Sequence, residues 1–235
     1  MNSCLNHNTL SIGHRGAKGY MAENTLESIS KAIELGVDGI EIDIFKCSSG
    51  ELVLFHDKNL KELTGKSGLI ENFTIKELKE FLVLGKYKIP TLKDVLIKIN
   101  SPLFVNIELK GLNTAEATSK MIFDFSKKTP WNLESFIVSS FNWNELEQLR
   151  SIDKNTPVGI LVSKSMSINE AIEFGKKIDA QAIHPHYTLL EEKTVKKIKN
   201  NGFKIYTWTV NNRDDINYMK KLQVNGIISD FPDRI

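Results

Sequence analysis

Two carboxylates, Glu41 and Asp43, stand two apart inside the apolar run GIEIDIF. In an extended strand that spacing sends both side chains to the same face. Burying two like charges together is costly unless something positive lies between them. A third carboxylate, Glu108, occupies a similar run, NIELK, with Lys110 two residues on. Three carboxylates form an oxygen-only donor set. Such a set suits a hard divalent cation, Mg²⁺ or Ca²⁺, better than zinc, which prefers nitrogen and sulfur. The competing reading is a buried ion-pair network in which Arg15 and Lys110 neutralise the acids.

Further ionisable groups fall at the ends of other apolar runs. The first run ends in His14-Arg15, and a short run, ELVLF, delivers His56-Asp57. A later one ends in His184-Pro185-His186, another holds Trp208, and the last ends in Ser229-Asp230. Histidines titrate near neutrality, so His14 and His56 qualify as a base and an acid. Arg15 suits two-point recognition of a phosphate, and Lys110 adds a point charge. The collection fits metal-assisted displacement at a phosphate ester. Trp208 reads either as a core aromatic or as a stacking platform in a ligand pocket. His184 reads more readily as structural or supporting, satisfied by ordinary hydrogen bonds.

The elements that must position these residues alternate regularly. Eight strand-like runs occur at 10–14, 39–45, 103–110, 136–141, 157–162, 180–185, 203–210 and 225–230, each rich in Ile, Val or Phe as buried parallel strands are. Helical patterns lie between them, among others at 24–36, 114–128, 142–153, 168–179 and 191–202. Several open on Asn, Thr or Asp and close on lysines, Gly36 or Gly202. Eight strands with intervening helices predict a (β/α)8 TIM-type barrel, with an open doubly wound sheet as the runner-up. In such a barrel the C-terminal strand ends carry the active site, which is where the ionisable residues fall.

Two irregularities interrupt the pattern. Residues roughly 57–90 are polar and lysine-rich, too long for a βα loop, and read as an insertion after the second strand. After the eighth strand the sequence runs into FPDRI, so the eighth helix is expected to be missing or reduced to a turn. The expectation is one barrel domain over 1–235.

Composition excludes several classes. The 235 residues carry 31 basic and 29 acidic side chains, a net +2 that argues against a nucleic-acid-coating protein. Cys4 and Cys47 cannot make a disulfide framework. The opening MNSCLNHNTL lacks the basic and apolar regions of a signal peptide, and no apolar run approaches the roughly 18 residues of a membrane span. A cytoplasmic protein without stable membrane insertion is expected, and the pattern leaves no trace of oligomeric state.

The ordered set of motifs resembles the glycerophosphodiester phosphodiesterases. It comprises His14-Arg15-Gly16, Glu23-Asn24-Thr25, Glu41-Ile42-Asp43, His56-Asp57 and Glu108-Leu109-Lys110, followed by IPTLKDVL, SSF, TWTVN and ISDFPD. The resemblance covers nearly the whole chain. It implies a TIM-type barrel with an insertion after the second strand, and hydrolysis of small glycerophosphodiesters to glycerol 3-phosphate and an alcohol. Carried over by motif, His14 and His56 form the general acid/base pair, and Glu41, Asp43 and Glu108 hold one divalent cation. Arg15 and Lys110 bind the phosphate; the stacking reading of Trp208 would put it under the glycerol, and the core reading stays open beside it. Two positions depart from the family pattern. Ala22 replaces a proline before Glu23, which should bear on stability and not on chemistry. Glu62 replaces an arginine in the insertion, which bears on substrate preference. Alternatives are a barrel phospholipase acting on intact lipids, which would want an apolar rim, and a binding barrel without catalysis; the FLVL run at 81–84 could form such a rim but reads more readily as packing the insertion onto the barrel.

Overall fold

Residue parity along the strands decides which side chains meet inside the barrel. In the second strand Ile40, Ile42 and Ile44 face outward into the cluster shared with the helices, so Gly39, Glu41 and Asp43 face inward. Acidic residues inside a barrel are affordable only near its open end, and that is where this parity delivers them.

The computed structural model describes residues 9–100, 103–128 and 131–235. Cys4 and most of the opening segment lie outside these residues. The elements run β1 (Leu10–Gly13), α1 (Leu26–Glu34), β2 (Gly39–Lys46), β3 (Leu52–Leu54), α2 (Lys61–Thr64), α3 (Ile75–Leu78), β4 (Leu82–Val83), β5 (Tyr87–Lys88) and α4 (Leu92–Ile99). They continue β6 (Phe104–Leu109), α5 (Ala115–Ser126), β7 (Phe136–Ser140), α6 (Trp143–Ile152), β8 (Val158–Val162), α7 (Ile168–Lys177), β9 (Ala182–Pro185), α8 (Glu192–Asn200), β10 (Lys204–Thr207), α9 (Arg213–Lys221) and β11 (Gly226–Ser229).

Eight strands pair in parallel, in the order β1-β2-β6-β7-β8-β9-β10-β11, and β1 pairs again with β11 to close the ring. This is a (β/α)8 barrel, as the alternation predicts, and not an open sheet. Outside the strands, Ile, Val and Leu pack against the helices. Inside, Ile12, Ile137, Ala182, Tyr206 and Ile228 fill the base and leave the polar residues above them. No helix among the described residues is long and apolar enough to cross a membrane.

The short run ELVLF is β3, antiparallel to β2, with Leu54 opposite Ile44 and Leu52 opposite Lys46. Because β3 descends, His56 just past it arrives beside the inner end of the site. The Phe55 N–H donates to the Asp43 carbonyl at 3.2 Å. The following segment has its own small core, including Phe55, Leu60, Ile70, Leu78, Val83 and Ile89. In the FLVL run Val83 is buried in this core and Phe81 packs on it, whereas Leu82 and Leu84 are exposed at the β4–β5 hairpin. Parity splits the run between the insertion's core and its surface. Ala22 is half-buried and packs on this second core. Glu62 is exposed in the first turn of α2.

After β11 the chain enters a 3-10 turn, Pro232–Arg234. The loop after β1 lies against it. Tyr20 meets Phe231 edge-on at 5.5 Å between centroids, its hydroxyl donates to Asp233 at 2.9 Å, and the Gly19 N–H donates to the Asp230 carbonyl at 2.9 Å.

Candidate active site

The turn from β1 into α1 is strained on purpose. Arg15 (φ +52) and Gly16 (φ +85) both adopt left-handed backbone, and a β-carbon on Gly16 would sit 2.5 Å from Ser28 Oγ of α1. Only glycine lets α1 come this close. Ser28 Oγ then ties the turn down, donating to the Arg15 carbonyl at 2.8 Å and accepting the Ala17 N–H at 2.9 Å. Thr25 caps α1 by accepting the Ser28 N–H.

This turn aims His14 and Arg15 over the inward carboxylates of β2. His14 Nδ1 lies 2.6 Å from Asp230 Oδ1, just past β11. An ionised carboxylate can only accept, so Nδ1 carries the proton and Nε2 is left toward the site. That Nε2 lies 4.0 Å from Glu41 Oε2. Asp230 is itself fixed, accepting from Asn211 Nδ2 at 2.8 Å, while Asn211 Oδ1 accepts the Asp230 N–H and the Ser229 hydroxyl. His56 makes a parallel pair, with Nδ1 2.7 Å from Asp57 Oδ1. Two imidazoles, each oriented by a carboxylate, thus line the same cavity as Glu41 and Glu108.

Glu41, Asp43 and Glu108 each offer a ligand oxygen within 4.8 Å of the others. The register that sets Asp43 beside Glu108 on β2 and β6 produces this grouping. Burial, reinforced by Asp43 and Glu108, pushes the Glu41 carboxyl well above the ordinary carboxylate value. Burial and the Asp43 charge push Glu108 up to about 7. Burial would raise Asp43 too, but Arg15 and Lys110 outweigh it and hold that carboxyl below its usual value. Burial lowers both His14 and His56 against the pull of Asp230 and Asp43 respectively. Glu41 Oε1 is buried and meets no donor. An orphaned, buried carboxylate oxygen beside two further carboxylates fits a hard cation, so the donor set accepts the group its residue types imply.

The positive groups are braced as well. Arg15 Nη1 donates to Glu23 Oε1 at 2.6 Å, and Arg15 Nε lies 3.1 Å from Asp43 Oδ2 without the alignment of a hydrogen bond. Lys18 pairs with the other Glu23 oxygen at 2.9 Å, and Lys110 Nζ lies 3.0 Å from Glu108 Oε1.

A cavity of about 90 Å³ opens above these groups. Of the eight residues singled out in the sequence, seven line it: His14, Arg15, Glu41, His56, Glu108, Lys110 and Trp208. Asp43 completes the carboxylate group from β2. Phe141, Leu161 and Trp208 form an apolar wall, with Phe141 and Trp208 edge-on at 5.2 Å. Trp208 is half-buried, and its Nε1–H donates to the His184 carbonyl at 2.8 Å, which makes it part of the wall and not of the core. A larger hollow, of about 1310 Å³, lies at the opposite end of the barrel, between α5 and the strand starts, and gathers no comparable set of groups.

His184 stays below the cavity. It is fully buried and neither ring nitrogen has a partner. His186 lies outside, stacked on Tyr187, and accepts the Thr188 N–H. Sequence reasoning missed the bracing groups. Asn24 and Glu23 sit in what reads as a helix-start signal, and Asp230 and Asp57 read as ordinary strand-end acids.

A profile of the glycerophosphoryl diester phosphodiesterase family matches residues 14–234. The chain belongs to this family. It is 32% identical to the glycerophosphodiester phosphodiesterase of Caldanaerobacter subterraneus subsp. tengcongensis, over 97% of this chain and 96% of that one. It resembles the solved glycerophosphodiester phosphodiesterase of Thermotoga maritima at a TM-score of 0.80 and 31% identity, covering 97% of each chain. A phosphodiesterase of Oleispira antarctica, solved with its product sn-glycerol-3-phosphate, superposes at a TM-score of 0.85 with 27% identity, covering 95% and 94%. The activity that goes with the family is hydrolysis of glycerophosphodiesters.

Proposed function

We propose that this phosphodiesterase releases glycerol 3-phosphate and an alcohol by histidine acid/base catalysis with one divalent cation, and that the product named for the Oleispira relative is also its own. The observation that supports the reading is a pair of carboxylate-oriented imidazoles lining one cavity with the Glu41, Asp43 and Glu108 group. The three carboxylates hold Mg²⁺ or Ca²⁺, which would supply charge stabilisation to the phosphoryl oxygens. Arg15 and Lys110 place fixed positive charge against the phosphate. One imidazole removes the proton of the attacking oxygen as it bonds to phosphorus, and the other protonates the alcohol oxygen as the P–O bond breaks. Phe141, Leu161 and Trp208 take the glycerol carbons.

The reading includes a single phosphodiesterase domain, with 57–90 as an insertion that carries no catalytic group beyond Asp57. It also places the enzyme in the cytoplasm, where the free, buried thiol of Cys47 needs no partner. The test is release of glycerol 3-phosphate from glycerophosphocholine by metal-stripped protein, before and after Mg²⁺ or Ca²⁺ is restored. Cation-dependent release is expected. Equal release without any cation would overturn the metal's part in it.

A further inference from the structure

Each carboxylate enters the site with one oxygen already engaged. Glu41 Oε2 accepts the Arg15 backbone N–H at 2.9 Å. Glu108 Oε1 is the oxygen nearest Lys110 Nζ, at 3.0 Å. Asp43 Oδ2 is held from two sides, accepting from Asn24 Nδ2 at 2.9 Å and facing Arg15 Nε at 3.1 Å. That leaves Glu41 Oε1, which meets no donor, Glu108 Oε2, and Asp43 Oδ1, from which Lys110 Nζ stands back at 4.0 Å. The protein therefore presents three single oxygens, not three chelating carboxylates.

A six-coordinate cation held by one oxygen from each of Glu41, Asp43 and Glu108 would still have room for water or substrate oxygen. Mg²⁺ demands near-octahedral geometry and keeps several waters, whereas Ca²⁺ gathers six to eight oxygens and often takes both from one carboxylate. The arrangement discriminates by denticity.

Asn24 enforces it at Asp43. Besides donating to Oδ2, its Oδ1 accepts the Asp43 backbone N–H at 3.2 Å, so one side chain fixes both the strand and the carboxylate. Asn24 is buried, with left-handed backbone (φ +55), and its own N–H donates to the Arg15 carbonyl at 3.1 Å. Asparagine tolerates that backbone better than most residues. No helix-capping role explains these contacts, because Thr25 supplies the cap.

We propose that Asn24 is a metal-selectivity residue. By occupying Asp43 Oδ2 it limits Asp43 to one-oxygen ligation, which favours a six-coordinate, Mg²⁺-sized cation over Ca²⁺. The inference rests on the reading of the three carboxylates as the cation site and adds which ion they select and why.

The test is calorimetric titration of the metal-stripped full chain with MgCl2 and, separately, with CaCl2. It compares the wild type with Asn24→Gly, which keeps the left-handed backbone and removes both side-chain contacts. Outer-shell partners typically alter metal affinity by 10–100-fold, so the Ca²⁺-to-Mg²⁺ affinity ratio should rise about tenfold or more in the variant. An unchanged ratio in a variant whose circular dichroism matches the wild type overturns the proposal. Absence of binding heat for both ions in the wild type overturns the cation site itself, and the two failures are thereby distinct. Should Asn24→Gly not fold, a crystal structure of the wild type grown with CaCl2 decides. Asp43 bound through Oδ1 alone supports the proposal, and both oxygens on the cation overturn it.

Discussion

His14 and Asp230 are 216 residues apart in the chain and 2.6 Å apart in the fold, joined across the seam where the first and last strands pair. The carboxylate decides which imidazole nitrogen bears the proton. Asp230→Asn would offer an N–H where Nδ1 needs an acceptor and so favour the wrong tautomer. A fall in kcat of about 10²–10⁴, with KM little changed, is expected from steady-state kinetics on glycerophosphocholine. The equivalent change at the more exposed Asp57 should cost less, because water can replace its contact with His56.

His14→Ala and His56→Ala should each lower turnover by about 10²–10⁴, the ordinary range for loss of a general acid or base. Cation affinity, measured separately, should survive in His56→Ala. Near-normal turnover in both variants would remove the histidines from the mechanism.

His184 gives a stability prediction with a definite sign. Burial pushes its pKa down to about 3, so between the ordinary histidine value of 6.5 and that point the unfolded chain binds a proton the folded chain does not. Its contribution is whole above 6.5 and is lost as pH falls toward 3, at about 1.4 kcal/mol per pH unit. Denaturant unfolding at pH 7 and pH 5 should show this dependence, and His184→Phe should flatten it. An unaltered pH slope in the variant would place the acid sensitivity elsewhere.

Gly159 exists to make room for that ring. A β-carbon there would lie 2.3 Å from His184 Nε2, with the other ring atoms close behind. Gly159→Ala should cost about 1–3 kcal/mol by overpacking, read from the midpoint of urea unfolding. In a His184→Ala background most of that cost should vanish, since the two positions share one space.

The parts of the site that lie on single strands were legible in the sequence. Glu41, Asp43, Glu108 and Lys110 declare themselves because period-two spacing in an apolar run leaves polar side chains no destination except the barrel interior. The eight strands were legible for the same reason, although β10 stops at Thr207 and leaves Trp208 on the mouth. The bracing groups were hidden for two different reasons. Asp230 finds His14 only when the ring closes, a contact no local pattern encodes. Asn24 was masked by its neighbour, since Thr25 accounts fully for a helix start and gives no hint that the residue before it reaches β2. The FLVL run was legible only in part: Val83 and Phe81 pack into the insertion's core, but hydrophobicity alone does not say that Leu82 and Leu84 turn outward.

The loop that bears His14 is also the loop that lies on the 3-10 turn after β11, through Tyr20, Phe231, Asp233 and the Gly19 amide. These contacts are few and partly exposed, so the patch belongs to the low-stability end of the molecule. Its two halves meet through the Tyr20–Phe231 ring contact, the Tyr20–Asp233 hydrogen bond and the Gly19 amide, which couples their local opening. In native-state hydrogen exchange the Gly19 and Arg234 amides should therefore lose protection together, well before those of β2 and β6. Because the Gly19 N–H donates to the Asp230 carbonyl, each such opening also removes one of the contacts behind the carboxylate that orients His14.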